Sequence, residues 1–300
     1  MTDGELTRID GRPIPDNRHE VRAFLVTFND SLRLQSALTH HRQLGVDRFF
    51  VADGGSTDGT LDQLTAAPDV HVFAATGDDG LAGLNTLLNA YGPGHWTLTV
   101  DVSELFVYPH YEELELPLFC RYLNHVGSQA MACVSLDMYA ASPLGDAVHR
   151  AGTPLRSTCG YFDSAPYQLS RTDMCPYFEI YGGLRERLMG GPGAGLSPVL
   201  SRVPLVRWQH GMQYLRGTGN ITPVIVANVM GALLRFDFLS DFRDRCGAEL
   251  AIDESTNLYG AASVKFENSA QLIQLGLIKT VRSLDESVKL TTAARTPKSA

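Results

Sequence analysis

Two short acidic segments hold the residues most able to do chemistry. Residues 50–60 read Phe-Val-Ala-Asp-Gly-Gly-Ser-Thr-Asp-Gly-Thr, and residues 98–104 read Leu-Thr-Val-Asp-Val-Ser-Glu. In each, an apolar run delivers one carboxylate, Asp53 or Asp101, into a turn. Two acids at two strand ends suit a nucleotide and metal site. The pattern then breaks. The residue two beyond Asp101 is Ser103, where a divalent cation favours a second acid.

The elements that position these acids follow from apolar runs and turn residues. Val21 to Phe28 reads as a strand, followed by a helix over Leu32–Leu44 that Asp30 or Ser31 can cap and Gly45 can close. Val46–Ala52, Val70–Ala74 and Trp96–Val100 read as further strands, with helices at Thr60–Thr65 and Leu81–Ala90. Short apolar strands alternating with helices predict an α/β fold, a mostly parallel central sheet flanked by helices. Ligands of such sheets bind beyond the carboxyl ends of the strands, where Asp30, Asp53 and Asp101 all fall. The second half is less regular. Ala130–Tyr139 and Val203–Val206 read as strands, residues 141–176 as loop-rich, and Asp253–Leu275 as one interrupted helix or two shorter ones. Residues 1–20 read as a flexible lead-in, 21–285 as a single domain (nucleotide-binding to 107, acceptor-binding after it) and 286–300 as a flexible tail.

Composition narrows the function classes. The net charge of −8 disfavours a nucleic-acid binder. Arginines can still clamp a buried anion bidentately. Five dispersed cysteines (Cys120, Cys133, Cys159, Cys175, Cys246) form neither a CxxC pair nor a disulfide framework, which suits a reduced cytoplasmic protein. No signal-peptide pattern and no membrane-spanning apolar run is legible. No P-loop is present, since Asp58-Gly59-Thr60 lacks the Gly-Lys-Ser/Thr core. A homodimer has no specific sequence support.

Over residues 21–285 the chain resembles the family 2-like glycosyltransferases of GT-A fold, in the bacterial branch with a DxGSTDGT loop followed by DxDEF. The resemblance rests on Phe28-Asn29-Asp30, Asp53 through Thr60, and Asp101-Val102-Ser103-Glu104-Leu105-Phe106. It extends to Tyr161-Phe162-Asp163, Gly182 through Arg187, Arg202 through Arg207, and Leu233-Leu234-Arg235-Phe236-Asp237. It implies a GT-A-like Rossmann-type sandwich, a nucleoside-diphosphate-sugar donor and inverting transfer to an acceptor hydroxyl. Two positions depart from the family pattern. Ser103 stands where the family places a second aspartate, and Arg235 where it places a histidine that commonly binds metal.

Sugar transfer sets three tasks. The nucleoside must be held, and Asp30 and Asp53 can accept hydrogen bonds from a ribose hydroxyl or base N–H. Their structural alternatives are a helix cap and an Asx-type turn. The leaving diphosphate must be stabilised. Asp101 beside Ser103 offers at most weak Mg²⁺ or Mn²⁺ binding, so no metal cofactor is expected. Arg235 is expected to clamp the diphosphate in the metal's place, acting on binding far more than on folding, with Arg185, Arg187 and Arg202 as further anion clamps. The acceptor hydroxyl must lose a proton. Asp173, Glu179 and Glu104 are the options and Asp173 is preferred, with His210 and Asp163 behind them. Tyr139, Tyr161, Phe162 and Trp208 either stack on a sugar or fill the core. The competing readings are a catalytically silent nucleotide-binding scaffold and a nucleotidyltransferase, the latter disfavoured by the missing metal pair.

Overall fold

A computed structural model describes residues 6–15, 17–75, 80–189, 198–246 and 252–295. The chain begins with β1 (Leu6–Arg8), β2 (Val21–Thr27), α1 (Ser31–Leu44), β3 (Arg48–Asp53), α2 (Thr60–Ala66), β4 (Val70–Ala75), α3 (Gly80–Tyr91), β5 (Trp96–Thr99) and β6 (Glu104–Val107). It continues through α4 (Leu116–His125), β7 (Ala130–Asp137), β8 (Tyr161–Asp163), β9 (Tyr167–Arg171), β10 (Phe178–Gly182) and α5 (Gly183–Leu188). The last elements are β11 (Ser201–Arg207), β12 (Val226–Arg235), α6 (Phe242–Cys246), β13 (Ser263–Lys265), α7 (Ser269–Gln274) and α8 (Arg282–Arg295).

The result is the expected α/β sandwich. Nine strands form one sheet in the order β1-β4-β3-β2-β5-β11-β7-β12-β6. Strands β4, β3, β2 and β5 are parallel, because a helix crosses between each consecutive pair in sequence. Both of their faces are covered, which explains the near-continuous apolar run Ala23-Phe24-Leu25-Val26. Past β5 the sheet becomes mixed: β11 runs antiparallel to β5 and β7, β12 parallel to β7, and β6 antiparallel to β12. That second half brings β11 and the end of β12 beside the carboxyl end of β5.

Gly45 closes α1 with φ 102°, a left-handed conformation that glycine adopts without a Cβ clash. Cys120, Cys133, Cys159 and Cys175 are buried free thiols. Among the described residues no helix is long and apolar enough to cross a membrane.

Three expectations are corrected. Of the lead-in, residues 1–5 and 16 lie outside the described residues, and the described part is docked. β1 pairs antiparallel with β4 and takes up that edge's free backbone groups. Asp10 lies 2.8 Å from the buried His71, and buried Glu20 accepts from Arg48 at 2.8 Å and Arg22 at 3.2 Å. The tail begins as α8, whose Leu284 and Val288 are buried against the core. Its apolar residues at helical spacing were overshadowed by the polar composition of residues 291–300. Finally, the helix expected over 253–275 is a loop, the strand β13 paired with β8, and the short α7. β13 joins β8 because Val264 and Phe266 pack inward, a pairing that local periodicity does not reveal.

Candidate functional site

Two loops at the carboxyl ends of β2 and β3 are knitted together by the polar residues of the first acidic segment. Asp53 Oδ2 accepts the Gly55 and Ser56 amides at 3.1 and 3.0 Å, and its Oδ1 accepts the Ser56 hydroxyl at 2.5 Å. The Ser56 hydroxyl in turn accepts the Asn29 amide at 2.9 Å, and Asn29 Oδ1 accepts the Thr57 amide at 2.8 Å. Asp58 reaches both helices, accepting the first amide of α1 (Ser31, 3.0 Å) and the Thr60 amide and hydroxyl at 3.1 and 2.6 Å. Partial burial works against the Asp58 anion, yet these donors prevail and hold its pKa near 2.

Asp30 and Asp53 were expected to touch the nucleoside. Both are buried, and both carboxylates are already engaged, that of Asp53 within its own loop and that of Asp30 partly by the distant Arg245. Asp30 occupies the N-cap position of α1 without capping it. Its Oδ2 accepts the Thr27 hydroxyl at 2.8 Å and the Phe28 amide at 3.3 Å, while Oδ1 pairs with Arg245. Asp53 thus closes the Asx-type turn that its sequence context allowed, whereas Asp30 braces its loop and Arg245 instead of capping the helix.

The second acidic segment opens onto a cleft of about 540 Å³. One side is formed by Val26, Leu84 and Thr99 through Asp101, from β2, α3 and the end of β5. Arg202 of β11, Arg235 of β12, Glu104 of β6, Glu179 of β10 and the 216–220 loop complete it. This is the crevice position expected for an α/β sheet.

Asp101 sits in a side-chain-closed turn. Its Oδ1 accepts the Ser103 amide at 3.0 Å, and its own amide donates to Glu104 Oε2 at 3.1 Å. Water reaches the carboxyl along the cleft, although protein surrounds it on the other sides. That enclosure, followed by the charges of Glu104 and Asp237, raises its pKa to about 6.

Arg235 does line the cleft, but it is first a partner of Glu104. Its Nη2 donates to Glu104 Oε1 at 3.1 Å, and Asp237 lies 3.9 Å away. Burial disfavours the cation, but these carboxylates more than offset that effect and keep Arg235 firmly charged. Arg202 differs. It donates to the carbonyls of Val199 and Ser201 at 2.6 and 2.9 Å and has no carboxylate partner among the described residues. Burial, then the nearby Arg235 charge, lowers its pKa to about 10, which leaves it cationic at neutral pH. Gly219 permits this packing, since a Cβ there would sit 3.2 Å from the Ser201 carbonyl and 3.6 Å from Arg202 Nη1. Arg216, on the same loop, adds an exposed cation to the cleft.

The other expected clamps lie elsewhere. Arg185 bridges Asp137 at 3.0 Å and Asp237 at 2.8 Å, tying α5 to the ends of β7 and β12. Arg187 pairs with Asp163 at 2.9 Å and donates to the Leu258 carbonyl at 2.7 Å. Neither lines the cleft. Asp173, the preferred base, is exposed on the turn between β9 and β10 and is absent from the cleft lining. Glu179 is the acceptor-side acid that does line it, accepting the Tyr181 hydroxyl at 2.6 Å. Asp163 is committed to Arg187, and His210 lies at a different cavity. Tyr139, Phe162 and Trp208 are core residues, and Tyr161 packs edge-on against Tyr259.

The metal implied by the family resemblance does not fit this donor set. Asp101 holds the Ser103 amide, the Ser103 side chain is hydrogen-bonded to Asp237, Asp237 is paired with Arg185, and Glu104 is neutralised by Arg235. A fixed guanidinium beside the position repels a divalent ion. Sequence reading missed Arg216, Arg245 and Asp237. The Gly217–Gly219 spacing around Thr218 was a usable signal for a loop approaching a ligand.

No family model matches this chain, and no curated protein matches it significantly. Solved structures give partial likenesses. TarS from S. aureus is 14% identical, with 39% of this chain and 22% of that one covered, at a TM-score of 0.32. The glucosyl-3-phosphoglycerate synthase of Mycobacterium tuberculosis, in complex with phosphoglyceric acid, is 21% identical over 39% and 44% of the two chains, at a TM-score of 0.28. HddC from Yersinia pseudotuberculosis is 9% identical over 76% and 98%, at a TM-score of 0.37. This chain thus spans less than half the length of the first two, and nothing transfers from them to individual residues of the cleft.

Proposed function

We propose that the chain is a glycosyltransferase of GT-A type that transfers a sugar from a nucleoside-diphosphate donor to an acceptor hydroxyl. The observation that carries this reading is Arg202, a cation that lines the same cleft as Asp101, lies near Arg235 and, among the described residues, hydrogen-bonds only to carbonyls. Glu104 and Asp137 lie near enough to favour its charge, but among the described residues neither pairs with it, and a largely buried cation in that state is poised for an anionic ligand. The leaving diphosphate supplies one, and charge developing on it in the transition state is what such donors stabilise.

In this reading the acceptor oxygen attacks the anomeric carbon, the bond to the diphosphate breaks, and inversion results. The acceptor proton passes to Glu179, a carboxylate in the cleft lining that is not paired with an arginine among the described residues. Arg202 takes the diphosphate charge, and Arg235 adds the N–H groups it does not use on Glu104. Metal independence follows from these cations. The acceptor is a small molecule or a glycan.

The test is calorimetric titration of UDP, GDP and dTDP, in excess EDTA and then with Mn²⁺. Tight binding of one nucleotide in EDTA, lost in Arg202→Gln, supports the reading and names the base. Binding that needs Mn²⁺ overturns its metal-independent part. Binding without sugar transfer to any acceptor in a screen favours a silent nucleotide-binding scaffold.

A further inference from the structure

At the opposite end of the same strands lies a cavity larger than the cleft, of about 770 Å³. The cleft takes Val26 from β2 and Arg202 from β11, whereas this cavity takes Val21 and Arg207 from those strands. Arg202 and Arg207 are roughly 17 Å apart at about 3.3 Å per extended residue. The two sites are therefore separate.

Its charge is one-sided. Arg18, Arg121 and Arg207 line it, from the segment before β2, from α4 and from β11. None of the three has a carboxylate partner among the described residues, and all are solvent-accessible. The one carboxylate in the lining is Glu20, already held by Arg48 at 2.8 Å and Arg22 at 3.2 Å. Asp47 is nearby through the Val21 amide, 2.9 Å from its Oδ2, but it is not part of the lining. His19 and His210 add imidazole nitrogens to the lining. Asn124 accepts the Trp96 indole N–H at 3.2 Å, which leaves its amide nitrogen as a further donor.

Three guanidiniums from three elements in one concavity repel one another, and no acid among the described residues pairs with them. In a chain of net charge −8 this is not a diffuse basic surface. The volume suits a small molecule. We infer that this cavity is a second anion site, built for a small polyanion with two or more phosphate groups and distinct from the cleft. The acidic balance of the whole molecule disfavours an extended nucleic acid as the occupant.

Tripolyphosphate titrated into the full chain by calorimetry tests this, with R121Q, R207Q and the cleft variant R202Q in parallel. Arg121 and Arg207 are exposed and lie on different elements, so loss of both folds is not expected, and R207K provides a charge-retaining control. The expected result is a tripolyphosphate site weakened about tenfold or more in R121Q and in R207Q, retained in R202Q and mostly retained in R207K. Wild-type affinity and stoichiometry in both R121Q and R207Q would overturn the inference. So would a single site abolished by R202Q alone. A single-stranded oligonucleotide that displaces tripolyphosphate at lower concentration would replace the small polyanion with nucleic acid. Failure of the cleft to bind nucleotide leaves these outcomes readable, because they depend on the Arg121 and Arg207 variants.

Discussion

Arg235 and Glu104 are register partners across β12 and β6, and their side chains meet at 3.1 Å on the cleft floor. One pair therefore joins the sheet's far edge to the turn that carries Asp101, since Glu104 Oε2 also accepts the Asp101 amide at 3.1 Å. The cation expected to serve the ligand alone also holds the fold.

Removing Arg235 should therefore unfold more than it unbinds. R235A leaves Glu104 buried and unpaired, with an expected loss of about 3 kcal/mol. The double variant E104M/R235M should recover most of it. Denaturant unfolding of the three proteins decides this, and wild-type stability in R235A would return Arg235 to a purely ligand-facing role.

Arg202 should behave in the opposite way. R202Q leaves no carboxylate partner unpaired among the described residues, so its stability loss should stay at about 1–2 kcal/mol, from the carbonyl hydrogen bonds alone. Nucleotide affinity should fall by about 10- to 100-fold, as for one or two charge-assisted hydrogen bonds. Unchanged affinity in the folded variant would remove the clamp.

Asp53 should matter first to stability. D53A strips acceptors from the Gly55 and Ser56 amides and the Ser56 hydroxyl, with an expected cost of about 1–2 kcal/mol. S56A should share part of that loss, because the two act as one unit. A D53A protein of normal stability that no longer binds nucleotide would restore the direct contact.

Asp101 gives a pH signature. Its folded pKa of about 6 lies above the ordinary 3.8, so the folded state holds its proton more tightly. This penalty on folding is absent below the unfolded pKa, grows as pH rises from about 4 to about 6, and stays constant above that range. D101N should accordingly raise the melting temperature at neutral pH and leave it unchanged below about pH 4. An equal effect at both pH values would point to packing instead of charge.

For proton transfer, E179Q should keep donor binding and slow turnover by about 10²–10⁴-fold, whereas D173N should be silent. Single-turnover rates with a working acceptor separate the two residues. A slow D173N enzyme beside a normal E179Q one would reverse the assignment.

The sequence by itself determined the first half of the fold. The apolar runs of β2, β3, β4 and β5 and the helices between them were legible, because parallel strands buried on both faces leave continuous apolar signals. Asp30, Asp53 and Asp101 were correctly placed at strand ends by the same reasoning. Only the tertiary structure decided what those residues do. Asp53 finds donors within its own loop, Asp30 finds Arg245 as well as its loop, and Arg185 and Arg187 find carboxylates on distant strands. Arg202 and Arg235 look alike in the sequence, yet one meets carbonyls and the other Glu104. A side chain's type fixes its charge, but its free valence depends on partners supplied by chain segments far away in sequence. Pairing of the mixed strands β11, β12 and β6 supplies them here.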